Sequence, residues 1–349
     1  MTSRYITTAA AALSAALVAM PALAETQIRW LSQSLSSSAE YPIETAVIEA
    51  IRADGFTVER SEFQALGLNT MDGLRLARTG TFDVISLQVG QVASDDPFLE
   101  GIDLIGVSVN LDELDDAVAA YRDVFSDRMV DRFGVQPMAI WAFGGQIFFC
   151  AEPIETLADL QGMKVRSFTA SMSALLEGLG ASPVTLPFPE VYPALQRGVA
   201  SCGITSANSA NTGKWPEVTT HVLPLAVASA VQAHVVNAEW WNGLTAEEQA
   251  TLTEHFNTLE EDLMALARRN GDLAVSCTTG GECDSTLYTA YDLELVELAP
   301  GDLDTLRSLS EELVLGDWAE RCERVYEGCG AVWNETVGAA RGMAVPGVN

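Results

Sequence analysis

One arginine, Arg166, lies inside a strand-helix-strand unit otherwise built to be buried. In residues 157–199, positions 163–168 read as a strand after a polar turn ended by Gly162. Ser171 or Ser173 can cap the helix that follows, whose Met172, Leu175, Leu176 and Leu179 recur at i, i+3, i+4, i+7 before Gly180 stops it. Arg166 falls near the carboxyl end of the strand, where open α/β sheets present ligand-binding groups. Its planar fork can receive a small ligand's carboxylate through two parallel hydrogen bonds, which a lysine ammonium cannot copy. It could equally tie the unit together by pairing with Asp159 or Glu190. The residues alone leave both readings open.

Other chemistry is thinly represented. There is no G-x-S-x-G elbow, H-E-x-x-H pair, phosphate-binding glycine loop or G-x-G-x-x-G. His221, His234 and His255 are scattered through apolar or helical settings, and the acid clusters at 95–96 and 112–116 fall in loop and helix-start positions that favour solvated or dipole-capping roles. A secreted enzyme is therefore the weaker functional class, and neither a cofactor nor a metal site is expected. The six cysteines contain no C-x-x-C pair. In an exported chain an even number fits disulfides. Cys277 and Cys283 bracket a short loop. Cys322 and Cys329 would stand about 10.5 Å apart along an unbroken helix, so their pairing requires the helix to end near Gly328. Cys150 and Cys202 remain, each on a predicted strand, and can pair across neighbouring strands.

The elements that must position Arg166 alternate between strand and helix. Strands are expected at 26–32, 57–62, 82–88 and 102–107, with helices at 40–53, 69–78 and 112–133. An apolar strand over 135–150 breaks at Gly144-Gly145, a candidate crossing between two lobes. Strands over 200–206 and 231–237 follow, separated by a polar loop at 208–213. Thr245 and Glu248 then open a long helix with a capping-box signature. The expected division is 25–143 with 230–275 as the first lobe, and 144–229 with about 300–340 as the second. Residues 341–349 are expected to be a mobile tail.

Arg4, an apolar run over 6–20 and the Ala22-Leu23-Ala24 pattern read as a cleavable secretory signal over residues 1–24, so the mature chain is expected to be exported. Its removal takes away one basic residue and no acid, moving the formal charge from −29 to −30. Nucleic acid and anionic membranes are poor partners for such a chain, and an anionic ligand needs a local cation to override the global field.

Three segments carry a family resemblance: D-L-Q-G-M-K-V-R from Asp159, G-A-S-P-V from Gly180, and E-V-Y-P-A-L-Q-R-G-V from Glu190. In this order and spacing the chain resembles the solute-binding proteins of TRAP transporters, the DctP-like extracytoplasmic receptors. The resemblance implies an α/β, two-lobed periplasmic binding protein, type II-like, with crossing strands and a long lobe-spanning helix. It also implies that Arg166 meets the carboxylate of a small organic acid, that Phe188 walls the ligand, and that Thr205, Ser206 and nearby Asn208 are polar contacts. Gln146 stands where sialic-acid receptors carry a second arginine. Trp30, Trp141 and Phe143 lie at strand positions near the expected cleft and could flank an apolar ligand body. The implied partner is a TRAP membrane permease. A ligand sensor docking on a membrane signalling protein is the alternative.

Overall fold

In the computed structural model, which describes residues 26–348, the chain forms two open sheets covered by helices. The expected signal segment lies outside the described residues. Strands β1 (Gln27–Ser32), β2 (Thr57–Glu62), β3 (Val84–Gln88), β4 (Val135–Ala142) and β10 (Val231–Asn237) form the first sheet in the order β2-β1-β3-β10-β4. The second sheet holds β5 (Ile147–Cys150), β6 (Lys164–Ser167), β7 (Ser182–Thr185), β8 (Cys202–Thr205), β9 (His221–Leu223) and β11 (Glu294–Leu295), ordered β11-β9-β5-β8-β6-β7. Parallel pairs β1–β2, β1–β3 and β6–β7 mark the strand-helix-strand units, while β10 runs antiparallel to both of its neighbours. The returning strand β10 thus belongs to the first lobe, although the chain reaches it from the second.

The crossings are built from particular residues. Gly144 takes φ +101°, which a side chain resists, and a Cβ on Gly145 would meet the Ala226 Cβ at 3.0 Å. The two crossing segments, 143–146 and 227–230, therefore lie close enough to bond backbone to backbone, as in Gln146 N–H to Ala228 O at 2.8 Å. The helix Ala246–Thr278 opens on the Thr245/Glu248 capping box. Its Leu252, Phe256, Leu259 and Leu263 pack on the first lobe, and its Ala274 and Cys277 on the second.

Several expectations are corrected. Residues 102–107 do not form a strand; Ile102, Leu104, Ile105 and Val107 are buried in a short helical turn and loop, so an apolar run there serves packing without sheet pairing. The loop expected at 208–213 is a helix, Ala207–Thr212, because the Ser206 hydroxyl accepts from the Ser209 N–H and caps it. The carboxyl-terminal segment 300–340 does not belong wholly to the second lobe. Leu306 and Val314 pack there, but Trp318, Cys322, Cys329, Trp333 and Val337 join the first-lobe core, where the Trp318 and Trp333 indoles donate to Pro97 O and Gly101 O. Residues 342–348, expected to be mobile, are held. Val345 is 2 % exposed and donates its N–H to Asn334 Oδ1, since Met343 and Val345 offer the core apolar side chains.

All three expected disulfides are present. Cys150–Cys202 joins directly opposed residues of β5 and β8. Cys322–Cys329 is possible because the helix Leu315–Glu323 ends before Gly328, at φ +82°, starts the next one.

Beneath the second crossing, the Asp103 carboxylate accepts the N–H groups of Ser229 and Val231. These flank Ala230, whose φ of +56° turns successive amides toward one point. Desolvation pushes the Asp103 carboxyl up to about 7, with Glu100 adding repulsion and the backbone amides pulling the other way. The folded protein therefore holds this proton more tightly than the unfolded chain, whose ordinary value is 3.8. The associated stability is complete below the unfolded value and is lost as pH rises through about 7. Denaturant unfolding across pH 4 to 8 should show a steeper loss of stability for the wild type than for Asp103→Asn; equal slopes would contradict this assignment.

Candidate functional site

Arg166 lies on β6, between Val184 of β7 and Gly203 of β8. It is 2 % exposed. Nε donates to Leu186 O at 3.1 Å and Nη1 to Ile204 O at 2.9 Å, so two strand-end carbonyls fix the guanidinium plane. The rings of Phe168 and Trp215 flank it, with centroids 4.8 and 5.6 Å from its central carbon. Gly203 makes room for that tryptophan, since a Cβ there would come within 2.7 Å of the ring. Among the described residues no carboxylate pairs with Arg166, and Nη2 bonds to no protein group. Asp159 caps its own turn, accepting the N–H groups of Glu155 and Thr156, and Glu190 is exposed. Burial alone draws the Arg166 guanidinium down to about 9, which leaves it cationic at neutral pH.

The contrast with other sheltered arginines is direct. Arg60 pairs with buried Glu44, and Arg128 with buried Asp96. A buried charge without an opposite partner is costly. Arg166 carries that cost while it lines a cavity of about 420 Å³ between the lobes, a volume suited to a small molecule.

Of the residues expected around it, Gln146, Phe188, Thr205, Asn208 and Phe143 line the same cavity. Phe188 stacks on Trp215 with centroids 5.5 Å apart, and Gln146 Nε2 donates to Gly144 O. Three expectations are corrected. Ser206 spends its hydroxyl on the helix cap and lines a separate chamber of about 480 Å³ behind the first. Trp30 and Trp141 are core residues facing away from the cleft. The Trp30 indole donates to Glu44 Oε1 at 2.7 Å, and the Trp141 indole to His234 Nδ1 at 3.1 Å. That second bond leaves the His234 proton on Nε2, where it faces Glu44 Oε1 at 3.2 Å. Burial would raise the Glu44 carboxyl, but His234, Arg60 and Ser32 outweigh it and hold Glu44 low. The strand positions were right and their faces were not: both indoles satisfy a buried first-lobe network.

The first lobe supplies residues that sequence reasoning did not name, including Gln33, Glu40, Phe63, Gln88 and Gln91. Gln33 follows β1, Phe63 follows β2 and Gln88 closes β3. The strand-end rule that singled out Arg166 points to these three as well. Glu40 is 3 % exposed, takes the Asn208 Nδ2 amide from the opposite lobe, and lies near the Ser38 hydroxyl. Desolvation raises its carboxyl above the usual range.

Residues 117–282 match the profile of the bacterial extracellular solute-binding protein family 7, DctP. Over 143 residues the chain is 27 % identical to the C4-dicarboxylate-binding periplasmic protein DctP of Rhodobacter capsulatus, covering 41 % of this chain and 43 % of that protein. The match thus spans less than half of that relative. Among solved structures, a TRAP periplasmic solute-binding protein from Desulfovibrio salexigens with bound orotic acid superposes with a TM-score of 0.78 at 17 % identity, covering 90 % of this chain and all of the other. DctP6 of Bordetella pertussis, a receptor binding pyroglutamic acid, gives 0.77 at 16 % identity, with 91 % and 100 % coverage. At such identities the likeness establishes the two-lobed fold.

Replacing Trp141 by Phe removes the donor to His234 and should cost about 1–3 kcal/mol of stability without altering the binding of carboxylate probes. A loss of binding with stability intact would place the indole in the site after all.

Proposed function

We propose that this chain, whose residues 117–282 carry the DctP domain of bacterial extracellular solute-binding protein family 7, is a periplasmic receptor that captures a small organic acid and hands it to a TRAP-type membrane permease. The observation that carries the reading is the buried Arg166, fixed by carbonyl oxygens, unpaired by any acid among the described residues and facing a cavity walled by both lobes. An unpaired buried cation is a poor structural device and a strong anion site. The ligand's carboxylate completes the guanidinium's hydrogen bonds at Nη2. Phe143, Phe168 and Phe188 surround its body, while Thr205 and the Gln146 carbonyl meet its polar groups.

Binding needs no bond-breaking chemistry. The lobes meet through the crossing segments and through contacts such as the Ser171 N–H to Glu100 Oε1, so a hinge motion about 143–146 and 227–230 opens and shuts the cavity. Closure excludes water and strengthens the ligand's charge pairing. Among the described residues no helix is long and apolar enough to cross a membrane.

A melting-temperature screen with pyroglutamate, orotate, succinate, malonate and glucuronate tests the proposal. At least one acid should stabilise the wild type, and calorimetry on that acid should show a loss of about 2–5 kcal/mol for Arg166→Ala. Arg166→Lys should also bind poorly, since it cannot keep both carbonyl bonds and the fork toward the ligand. Undiminished affinity in a folded Arg166→Ala protein would remove the site assignment.

A further inference from the structure

Glu40 precedes the helix Tyr41–Ala53 in the first lobe and reaches the cavity from the side opposite to the sheet that carries Arg166. Among the described residues no basic group pairs with it. Asn208, from the second lobe, commits its Nδ2 to the Glu40 carboxylate and so turns its Oδ1 into a buried acceptor with no donor. Gln33 Oε1, on another cavity-lining residue, is also buried and unpartnered. Both residues of the Glu40–Asn208 pair are less than one-tenth exposed. This part of the site therefore holds two unpartnered amide oxygens beside a carboxylate, with the buried, unpartnered Ser38 hydroxyl able to donate as well as accept, whereas Arg166 itself offers donors only.

Resting on the receptor reading above, we propose that Glu40, positioned by Asn208, selects the ligand by accepting an N–H from its non-carboxylate end, so that the natural cargo is a monocarboxylate bearing an amide, lactam or amine nitrogen and not a dicarboxylate. A second carboxylate placed there would face the Glu40 charge and two amide oxygens, and nothing nearby would neutralise it. An N–H answers the unpaired acceptors directly. The raised Glu40 carboxyl agrees with this, because desolvation is its leading cause and neighbouring Glu44 adds repulsion; no cation relieves either. Protonating Glu40 would add one donor and leave the two amide oxygens as they are. The Glu40–Asn208 bond also links the lobes, so a ligand that engages both residues ties its recognition to closure.

Calorimetry with pyroglutamate, N-methylpyroglutamate and succinate separates the possibilities on the wild-type protein, whatever the behaviour of variants. Pyroglutamate should bind at least ~10-fold tighter than either of the others, a factor in keeping with one hydrogen bond to a charged group. Glu40→Gln, checked for an unchanged melting profile, should narrow the pyroglutamate preference to within ~3-fold. The proposal is overturned if succinate or the N-methyl compound binds as tightly as pyroglutamate, or if Glu40→Gln leaves the preference unchanged. If succinate binds best and still depends on Arg166, the acid-receptor reading stands and this one falls. If none of the three binds, this proposal falls, while the acid-receptor reading is decided by the wider screen with orotate, malonate and glucuronate.

Discussion

The structure is organised around one guanidinium held in a dry place by neutral oxygens. Two carbonyls at strand ends, Leu186 O and Ile204 O, orient Arg166 but cannot cancel its charge, and the rings of Phe168 and Trp215 flank it. A protein bearing so many more acids than bases has every opportunity to neutralise a buried arginine, and it does so for Arg60 and Arg128. Among the described residues none neutralises Arg166, and on the proposed reading the missing half of the interaction is the ligand's carboxylate. The local cation also lets a strongly negative protein receive an anion, because the field inside a low-dielectric cleft is set by the nearest charge.

Around this centre the two lobes divide the work. The second lobe contributes the cation and the aromatic walls, and the first contributes polar groups from the ends of β1, β2 and β3 together with Glu40. Each lobe alone would leave one face of the cavity open to solvent. The crossing segments bring the halves together, with Gly144 and Gly145 allowing close approach and Asp103 gathering the amides on either side of Ala230. Carboxyl-terminal helices brace the first lobe through the Trp318 and Trp333 indole bonds. On the proposed reading, these ties leave hinge motion to the crossings.

Much of this was legible in the residues. The spacing of Met172, Leu175 and Leu176 marked a strand-helix-strand unit, and the Gly144-Gly145 break marked a lobe crossing. Strand position gave Arg166 its place at a carboxyl end. What periodicity could not supply was whether a buried strand residue looks into a lobe core or into the cleft: Trp30 continues the exposed-buried alternation of 27–30, Trp141 lies in a continuously buried run, and neither pattern distinguishes the two. Glu40 escaped notice because a lone acid before a helix ordinarily reads as a solvated or dipole-facing group, and only the fold shows it walled in and bonded to Asn208. The carboxyl-terminal helices divide between the two cores, where one was expected, for a related reason. Amphipathic spacing says that a helix has a buried face, not which core receives it.

A crystal structure of the protein purified with its natural ligand tests the central claim most directly. The account predicts a ligand carboxylate oxygen about 3 Å from Arg166 Nη2, inside the cavity between the lobes, with the Leu186 and Ile204 carbonyl bonds retained. A ligand bound elsewhere, or an Arg166 turned to pair with one of the protein's own carboxylates, would contradict it.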